Sequence, residues 1–180
     1  HALINALPEH MKTIVRFALA TGLRRTNITH LQWSQVDLER RMAWIHADQS
    51  KTKKAIGVPL NADAVNVLLE QKDKHDKWVF PYNGKPVYQV STKAWQKALR
   101  KTGLEGFRFH DLRHTWASWH VQAGTPLNAL QELGGWSSAE MVRRYAHLGA
   151  SHLANYANNI LDEPVPEIGT KLVQFKIVKN

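Results

Sequence analysis

A small set of basic side chains could act together on a phosphodiester. Arg24 and Arg113 carry planar, permanently charged guanidinium groups, which suit the non-bridging oxygens of a pentacoordinate phosphorus. His110 lies three residues before Arg113, so on a helix both side chains project from one face toward the same phosphate. Its imidazole can bind the phosphate through a ring N–H and act as an acid–base partner. These three residues predict a phosphate clamp.

Three further residues supply the other groups that breaking a phosphodiester needs. Tyr145 has a phenol that can attack phosphorus, and Lys51 can donate a proton to the departing 5′ oxygen. Trp136 has an indole N–H but no acceptor, so it can hydrogen-bond a phosphate oxygen and cannot carry a proton. A phosphotyrosine conserves the energy of the broken bond. We therefore expect no ATP, no metal and no other cofactor.

Taken singly, each of these residues favours a plainer role. Tyr145 and Trp136 would more often be packing residues, and an isolated arginine more often faces solvent or makes a structural ion pair. The lysines of residues 51–54 would by themselves be a charged turn. Their joint occurrence in one order, with matching local sequence, favours the catalytic interpretation.

A helix end and a hairpin are predicted to position the first arginine and the lysine. Apolar residues recur with helical spacing after Pro8, and Gly22 ends that helix, which leaves Arg24 just beyond it. A second short helix is predicted over residues 26–33. A strand begins near residue 41, and a hairpin over residues 41–59 places Lys51 at or near its tip.

The second half of the chain is predicted to be mostly helical. Asn61 caps a helix, residues 78–80 form an extended segment before the turn Asn83-Gly84, and residues 91–101 are helical again. Residues 111–123 form a helix, and another opens at Pro126. Residues 137–140 resemble a capping box, which places Tyr145 about two turns into the last helix. We therefore predict an α+β fold, mainly helical, with a small antiparallel sheet near residues 41–59.

The motifs around these residues closely resemble those of tyrosine recombinases of the phage integrase kind, over residues 8–160. The segments that carry the resemblance are Thr21-Gly22-Leu23-Arg24, Ser50-Lys51-Thr52, His110-Asp111-Leu112-Arg113-His114, Leu133-Gly134-Gly135-Trp136 and Tyr145. The resemblance implies the catalytic-domain fold of that family, the nucleophile at Tyr145, the hairpin lysine at Lys51, and Trp136 in a position filled by His or Trp. The sequence around Trp136 and Tyr145 resembles prophage and genomic-island integrases more than chromosome-dimer resolvases.

One position departs from the family pattern. Many members carry Glu or Asp three residues after the first arginine, where this chain has Asn27. An acidic group there can orient the arginine or the histidine, whereas Asn offers a neutral amide. We expect activity to be lowered rather than lost.

Composition agrees with a nucleic-acid partner. The 180 residues include 24 Lys and Arg against 15 Asp and Glu, a formal charge of +9 with a pI near 9.9. We expect Arg25, Lys53 and Lys54 to bind the DNA backbone. The sequence has no cysteine, which excludes disulfides and thiolate sites, and it has no apolar stretch long enough to cross a membrane.

The predicted organisation is a catalytic domain over residues 1–162 and a tail over residues 163–180 that begins as a Pro-containing linker and includes a strand over residues 172–178. The family resemblance implies an N-terminal DNA-binding domain that this chain lacks. It also implies double-stranded DNA attachment sites, accessory DNA-bending proteins, a bacterial or phage-encoded cytoplasmic protein, and a tetramer on synapsed DNA with residues 151–178 packed on a neighbour. The alternative is a tail folded back on its own domain and a monomeric isolated fragment.

The sequence leaves three other functions open. His110 and His114 are four residues apart and could present two ligands of a metallohydrolase, although Arg113 between them would repel a divalent cation. A DNA-binding regulator that has lost catalysis would keep the basic surface and need none of the six residues. A type IB topoisomerase shares the chemistry, but the short segment after Tyr145 favours a recombinase.

Overall fold

The computed structural model describes residues 1–50 and 53–152. In these ranges the helices are α1 (Ala2–Ala6), α2 (Glu9–Thr21), α3 (Arg25–Thr29), α4 (Ala62–Gln71), α5 (Lys93–Lys101), α6 (Asp111–Gln122), α7 (Leu127–Gly134) and α8 (Glu140–Arg143). The strands are β1 (Val36–Asp37), β2 (Met42–Ile45), β3 (Ile56–Pro59), β4 (Pro81–Tyr82) and β5 (Lys85–Pro86). Short 3-10 helices cover Trp33–Gln35, Ala47–Gln49 and Ala146–His152.

Helix α2 forms as the sequence predicts and sets the position of the first arginine. Met11, Ile14 and Phe17 lie on its buried face, in contact with the main core. Its C-cap is Gly22, whose φ of 62° is in the left-handed region, and the Gly22 amide donates to the Ala18 carbonyl. The chain therefore turns sharply at Gly22.

The predicted antiparallel sheet is present and has one strand more than expected. β2 pairs with β3, with Met42 opposite Pro59 and Ile45 opposite Ile56, and the two-residue β1 pairs with the other edge of β2. A separate two-stranded sheet, β4–β5, surrounds Asn83-Gly84. Both turn residues have positive φ, 51° and 70°, as a two-residue hairpin turn requires.

The second helix is shorter than predicted. The sequence suggested a helix over residues 26–33, whereas α3 ends at Thr29. The backbone beyond it pairs with another segment, because the Val79 amide donates to the Leu31 carbonyl and the Trp33 amide donates to the Lys77 carbonyl. These long-range hydrogen bonds replace the helical ones.

The described residues form two hydrophobic clusters, and α6 contributes to both. The larger cluster contains buried residues of helices α1, α2, α3, α4 and α5 and of the three-stranded sheet, together with Leu112 of α6. The smaller one is built by α6, α7 and α8 around Trp116, Leu130 and Val142. Tyr145 belongs to this smaller cluster, and Trp136 packs against it. Helix α6 therefore ties the C-terminal motifs to the rest of the fold.

The prediction for the last helix was wrong. Helix α8 has four residues, its N-cap is Ala139, and no side chain caps it, so the capping box expected over residues 137–140 does not form. Tyr145 lies two positions after the end of α8, just before a 3-10 helix. Among the described residues no helix is long and apolar enough to span a membrane. The predicted tail strand over residues 172–178 and the predicted boundary at 163 lie outside the described residues.

Candidate active site

One cavity of about 1050 Å³ brings together the residues that the sequence singled out. The predicted catalytic residues that line it are Arg24, His110, Arg113, Trp136 and Tyr145. Lys54 and Arg144 also line it, and Glu132 is the only carboxylate among the described lining residues. The cavity wall is therefore strongly cationic and suits an anionic ligand.

Arg113 is held in place by the backbone of two other motifs. It is 4% exposed, and its two terminal nitrogens donate to the carbonyls of Gly22 and Gly134, each at 2.5 Å. Its guanidinium carbon lies 4.1 Å from the centre of the Trp136 ring. Burial, and then the positive charge of Arg24, lower the pKa of Arg113 to about 10, so it stays cationic at neutral pH.

Arg24 owes its place to the turn at Gly22. It is the N-cap residue of α3, half-buried, and burial lowers its pKa below the ordinary value of an arginine. A side chain at position 22 would not fit, because an added Cβ would lie 2.2 Å from Cε3 of Trp116. The same tight turn therefore places Arg24 on the cavity and presents the Gly22 carbonyl to Arg113.

Trp136 fills the space that Gly134 leaves by having no side chain. A Cβ on Gly134 would lie 2.0 Å from Cζ3 of Trp136, and Gly135 has a φ of 59° at the C-cap of α7. The Trp136 ring stacks at 6.0 Å on Trp116 and contacts Tyr145, with ring centres 6.1 Å apart. The Gly134-Gly135-Trp136 motif thus supports both Arg113 and the phenol.

His110 lies at the N-terminus of α6, exposed, at the mouth of the cavity. Burial of part of the ring, with the positive charges of His114 and Arg113, lowers its pKa below the ordinary 6.5. Its ring meets the ring of His114 edge to face, with centres 5.1 Å apart. His110 and Arg113 therefore reach the same cavity from successive turns of one helix, as their spacing predicts.

The phenol of Tyr145 faces this basic cluster. The residue is 6% exposed, yet it lines the cavity, and its hydroxyl lies 2.5 Å from Nδ1 of His114. Burial raises the pKa of Tyr145 above 10, and the nearby charges of Arg144 and Arg113 oppose this rise. At neutral pH the group is therefore a phenol and needs a proton acceptor to become a nucleophile.

The remaining predicted residues have different environments. Lys51 lies outside the described residues. Arg25 and Lys53 are exposed and away from the cavity lining, whereas Lys54 is exposed and lines it. Asn27 is 5% exposed, and its Nδ2 has no hydrogen-bond partner within the described ranges.

Sequence reasoning missed two residues of this site. His114 entered it only as a metal ligand, and Arg144 was not singled out. Both were visible as neighbours of assigned residues, but the contact of His114 with the phenol depends on packing between α6 and the segment after α8. In the described part of the chain no group of three or more His, Cys, Asp or Glu side chains could hold a metal ion, so His110 and His114 have no third ligand there.

Comparison with known proteins gives consistent matches. A family model described as the phage integrase family matches residues 1–152. The integrase of Salmonella phage P22 is 52% identical over 171 residues, covering 88% of this chain and 44% of that protein. The catalytic domain of bacteriophage HP1 integrase superposes with a TM-score of 0.66 at 27% identity, covering 91% of this chain and 93% of that one. XerA recombinase gives a TM-score of 0.67 at 25% identity, over 87% of this chain and 59% of XerA.

The chain spans about half the length of the curated relatives that it matches. The superposed structures confirm the mainly helical fold with a small antiparallel sheet that the sequence predicted. The matched residues 1–152 also contain every described residue that lines the cavity. The chain belongs to the phage integrase family.

Proposed function

We propose that this chain is the catalytic domain of a site-specific DNA recombinase that cuts and rejoins strands through a 3′-phosphotyrosyl bond at Tyr145. One observation carries the proposal. Tyr145 shares a cavity with the guanidiniums of Arg24 and Arg113, the imidazole of His110 and the indole of Trp136. This is the set of groups that transfer of a phosphoryl group to a phenol requires.

The chemistry assigned to each group follows from what it can donate or accept. The Tyr145 oxygen attacks phosphorus, the P–O5′ bond breaks, and the 5′ oxygen leaves with a proton that we assign to Lys51. N–H groups of Arg24 and Arg113 bind the non-bridging oxygens as their charge grows. The fixed position of the Arg113 guanidinium favours this role, because two of its N–H groups are already held by carbonyls.

Two groups complete the phosphate site. Trp136 donates its indole N–H to a phosphate oxygen. His110 also donates a ring N–H to the phosphate and acts as an acid–base partner in the reaction. Rejoining reverses the steps, with a 5′ hydroxyl from the partner strand attacking the phosphotyrosine. The energy of the phosphodiester is kept in the protein–DNA bond, so the cycle needs neither ATP nor a metal.

The proposed partner is double-stranded DNA carrying an attachment site, in the bacterial cytoplasm. The charge of +9 supports a polyanionic partner, and Arg25, Lys53 and Lys54 are proposed to contact the backbone. We propose integration or excision of a prophage or genomic island, on a tetramer that holds two sites through a Holliday junction and that accessory DNA-bending proteins help to assemble. We propose a catalytic domain over residues 1–162 and a tail over residues 163–180, with residues 151–178 packed on a neighbouring subunit.

The test is the capture of the covalent intermediate. The probe is a pool of randomised DNA duplexes, each nicked so that the fragment with the 5′ hydroxyl is lost after cleavage. The wild-type chain accumulates a denaturant-resistant adduct, whose DNA is then sequenced. Tyr145→Phe forms none, whereas the control Tyr88→Phe, at a site that is 87% exposed, behaves as wild type.

The outcomes separate the alternatives. DNA binding without any adduct from the wild-type chain refutes strand cleavage and favours the catalytically silent regulator. An adduct that persists in Tyr145→Phe refutes the assignment of the nucleophile. Relaxation of supercoiled DNA without exchange between two sites favours a topoisomerase.

A further inference from the structure

The immediate hydrogen-bond partner of the proposed nucleophile is a histidine that the phosphate clamp does not use. In the described part of the chain the imidazole bonded to the Tyr145 hydroxyl is that of His114, with Nδ1 at 2.5 Å from the phenol oxygen. His110 lies one turn earlier on α6 and contacts the ring of His114 rather than the phenol. The two histidines therefore differ in position: one lies at the mouth of the cavity and the other against the nucleophile.

The direction of this hydrogen bond follows from the other neighbour of the phenol. The Arg144 side chain lies beside Tyr145 and acts to lower the pKa of the phenol. A guanidinium has only donors, so toward Arg144 the phenol oxygen can act only as an acceptor. The hydroxyl proton is then free to point at Nδ1 of His114, which must be the unprotonated nitrogen of a neutral ring.

The surroundings keep His114 in this neutral form. The ring is half-buried, and its burial lowers its pKa below 6.5. The positive charges of three arginines also lower this pKa, and the carboxylate of Asp111 raises it. The charged and titratable groups around the ring are Asp111, Arg144, Arg108, Arg113, His110 and Tyr145.

We propose that His114 is the proton acceptor for Tyr145 and positions its hydroxyl for attack. The inference rests on the proposed function and deepens it. As the Tyr145 oxygen bonds to phosphorus, its O–H bond breaks and the proton moves to Nδ1 of His114. The P–O5′ bond breaks and the 5′ oxygen takes a proton from a separate donor. In rejoining, the imidazolium returns its proton to the departing phenolate, so no proton is gained or lost at this pair.

The short contact makes His114 suited to this step. Proton transfer needs the acceptor at hydrogen-bond distance from the reacting oxygen, and this pair has that distance. The Trp136 ring contacts Tyr145 as well, with ring centres 6.1 Å apart, so the phenol is held between aromatic packing and the imidazole. A general base in such a place contributes about 10²- to 10⁴-fold to the rate.

The experiment measures single-turnover formation of the covalent adduct with a duplex recovered from the randomised pool. His114→Asn keeps an acceptor near the position of Nδ1 but cannot take up a proton. We expect it to slow the step by about 100-fold or more at neutral pH. The deficit narrows as the pH rises toward the phenol pKa, because a phenolate needs no acceptor. His114→Gln replaces this variant if circular dichroism shows that His114→Asn does not fold.

Two controls make the result specific. His120→Asn changes a half-buried histidine of the same helix that is away from this cavity, and it should cleave at the wild-type rate. The second control is a substrate with sulfur in place of the bridging 5′ oxygen, whose leaving group needs no proton. With this substrate His114→Asn should form the adduct more slowly than the wild-type chain by the same factor as with the oxygen substrate.

The inference fails on either of two results. His114→Asn cleaving within about threefold of wild type shows that a hydrogen bond suffices and no proton is accepted there. Recovery of the variant's rate with the sulfur substrate shows that His114 serves the leaving group instead. Absence of an adduct from the wild-type chain overturns the proposed function and the inference with it, whereas a wild-type adduct with an unimpaired variant overturns the inference alone.

Discussion

Replacing Gly134 with alanine tests how the site is held together. Gly134 is the last residue of α7 and lies against Trp136, and its carbonyl accepts a hydrogen bond from Arg113. An added Cβ would meet three atoms of the six-membered ring of Trp136 at 2.0, 2.1 and 2.8 Å. Ordinary contact begins at 3.4 Å, so the ring must retreat or the end of α7 must shift.

The expected cost comes from this overlap. Forcing an extra carbon into a packed site destabilises a protein by about 1–3 kcal/mol. For a chain of this size each kcal/mol lowers the melting temperature by about 2–4 °C. Because Trp136 lies over the Arg113 guanidinium, we also expect slower formation of the DNA adduct.

Urea denaturation and thermal melting measure the loss, and a second substitution tests its cause. Trp136→His removes the six-membered ring, so in a chain that already carries Trp136→His the added Gly134→Ala should cost much less stability than it does in the wild-type chain. Gly57→Ala is the control, because its added Cβ meets only the flexible end of Met42 at 3.3 Å, and it should change stability by less than about 0.5 kcal/mol. The overlap between position 134 and the Trp136 ring is refuted if Gly134→Ala is as stable as the wild-type chain. It is also refuted if the double variant loses the sum of the free energies that Gly134→Ala and Trp136→His lose separately.

Three further predictions concern the same framework. Gly22→Ala should destabilise more than Gly134→Ala in the same urea titration, because it adds a contact of 2.2 Å with Trp116 to a φ of 62°; an equal or smaller loss contradicts this. Arg113→Lys should cost about 1–3 kcal/mol for each of the two carbonyls left unpaired, since one ammonium does not reproduce the guanidinium fork; unchanged denaturation would show that the carbonyls find other donors. Burial lowers the pKa of four histidines, so the unfolded chain binds protons more readily than the folded one below pH 6.5. Stability should therefore fall between about pH 7 and about pH 5, and a melting temperature that rises over this window would show the sign to be wrong.

The sequence was informative wherever local chemistry decides the structure. Gly22 ends α2 because a left-handed C-cap favours glycine, and Asn83-Gly84 turns β4 into β5 because both positions need positive φ. The order of Arg24, His110, Arg113, Trp136 and Tyr145 was enough to predict a shared site, which the structure places around one cavity.

Local preferences were less informative where tertiary contacts compete with them. The expected capping box at residues 137–140 contributes about 1 kcal/mol, which is too little to extend α8 against the packing of Val142 and Tyr145 into the second cluster. The helix after Arg24 ended early for a similar reason, because its backbone pairs with residues 77–79.

The amino-acid sequence by itself determined which groups are available, since the chemistry of guanidinium, imidazole, indole and phenol belongs to the residues. Only the tertiary structure decided which of them touch. The two carbonyls that hold Arg113 come from positions 91 and 21 residues away, and the imidazole bonded to Tyr145 lies 31 residues before it. Such contacts depend on how whole helices pack, because no periodicity within a helix or strand relates residues so far apart.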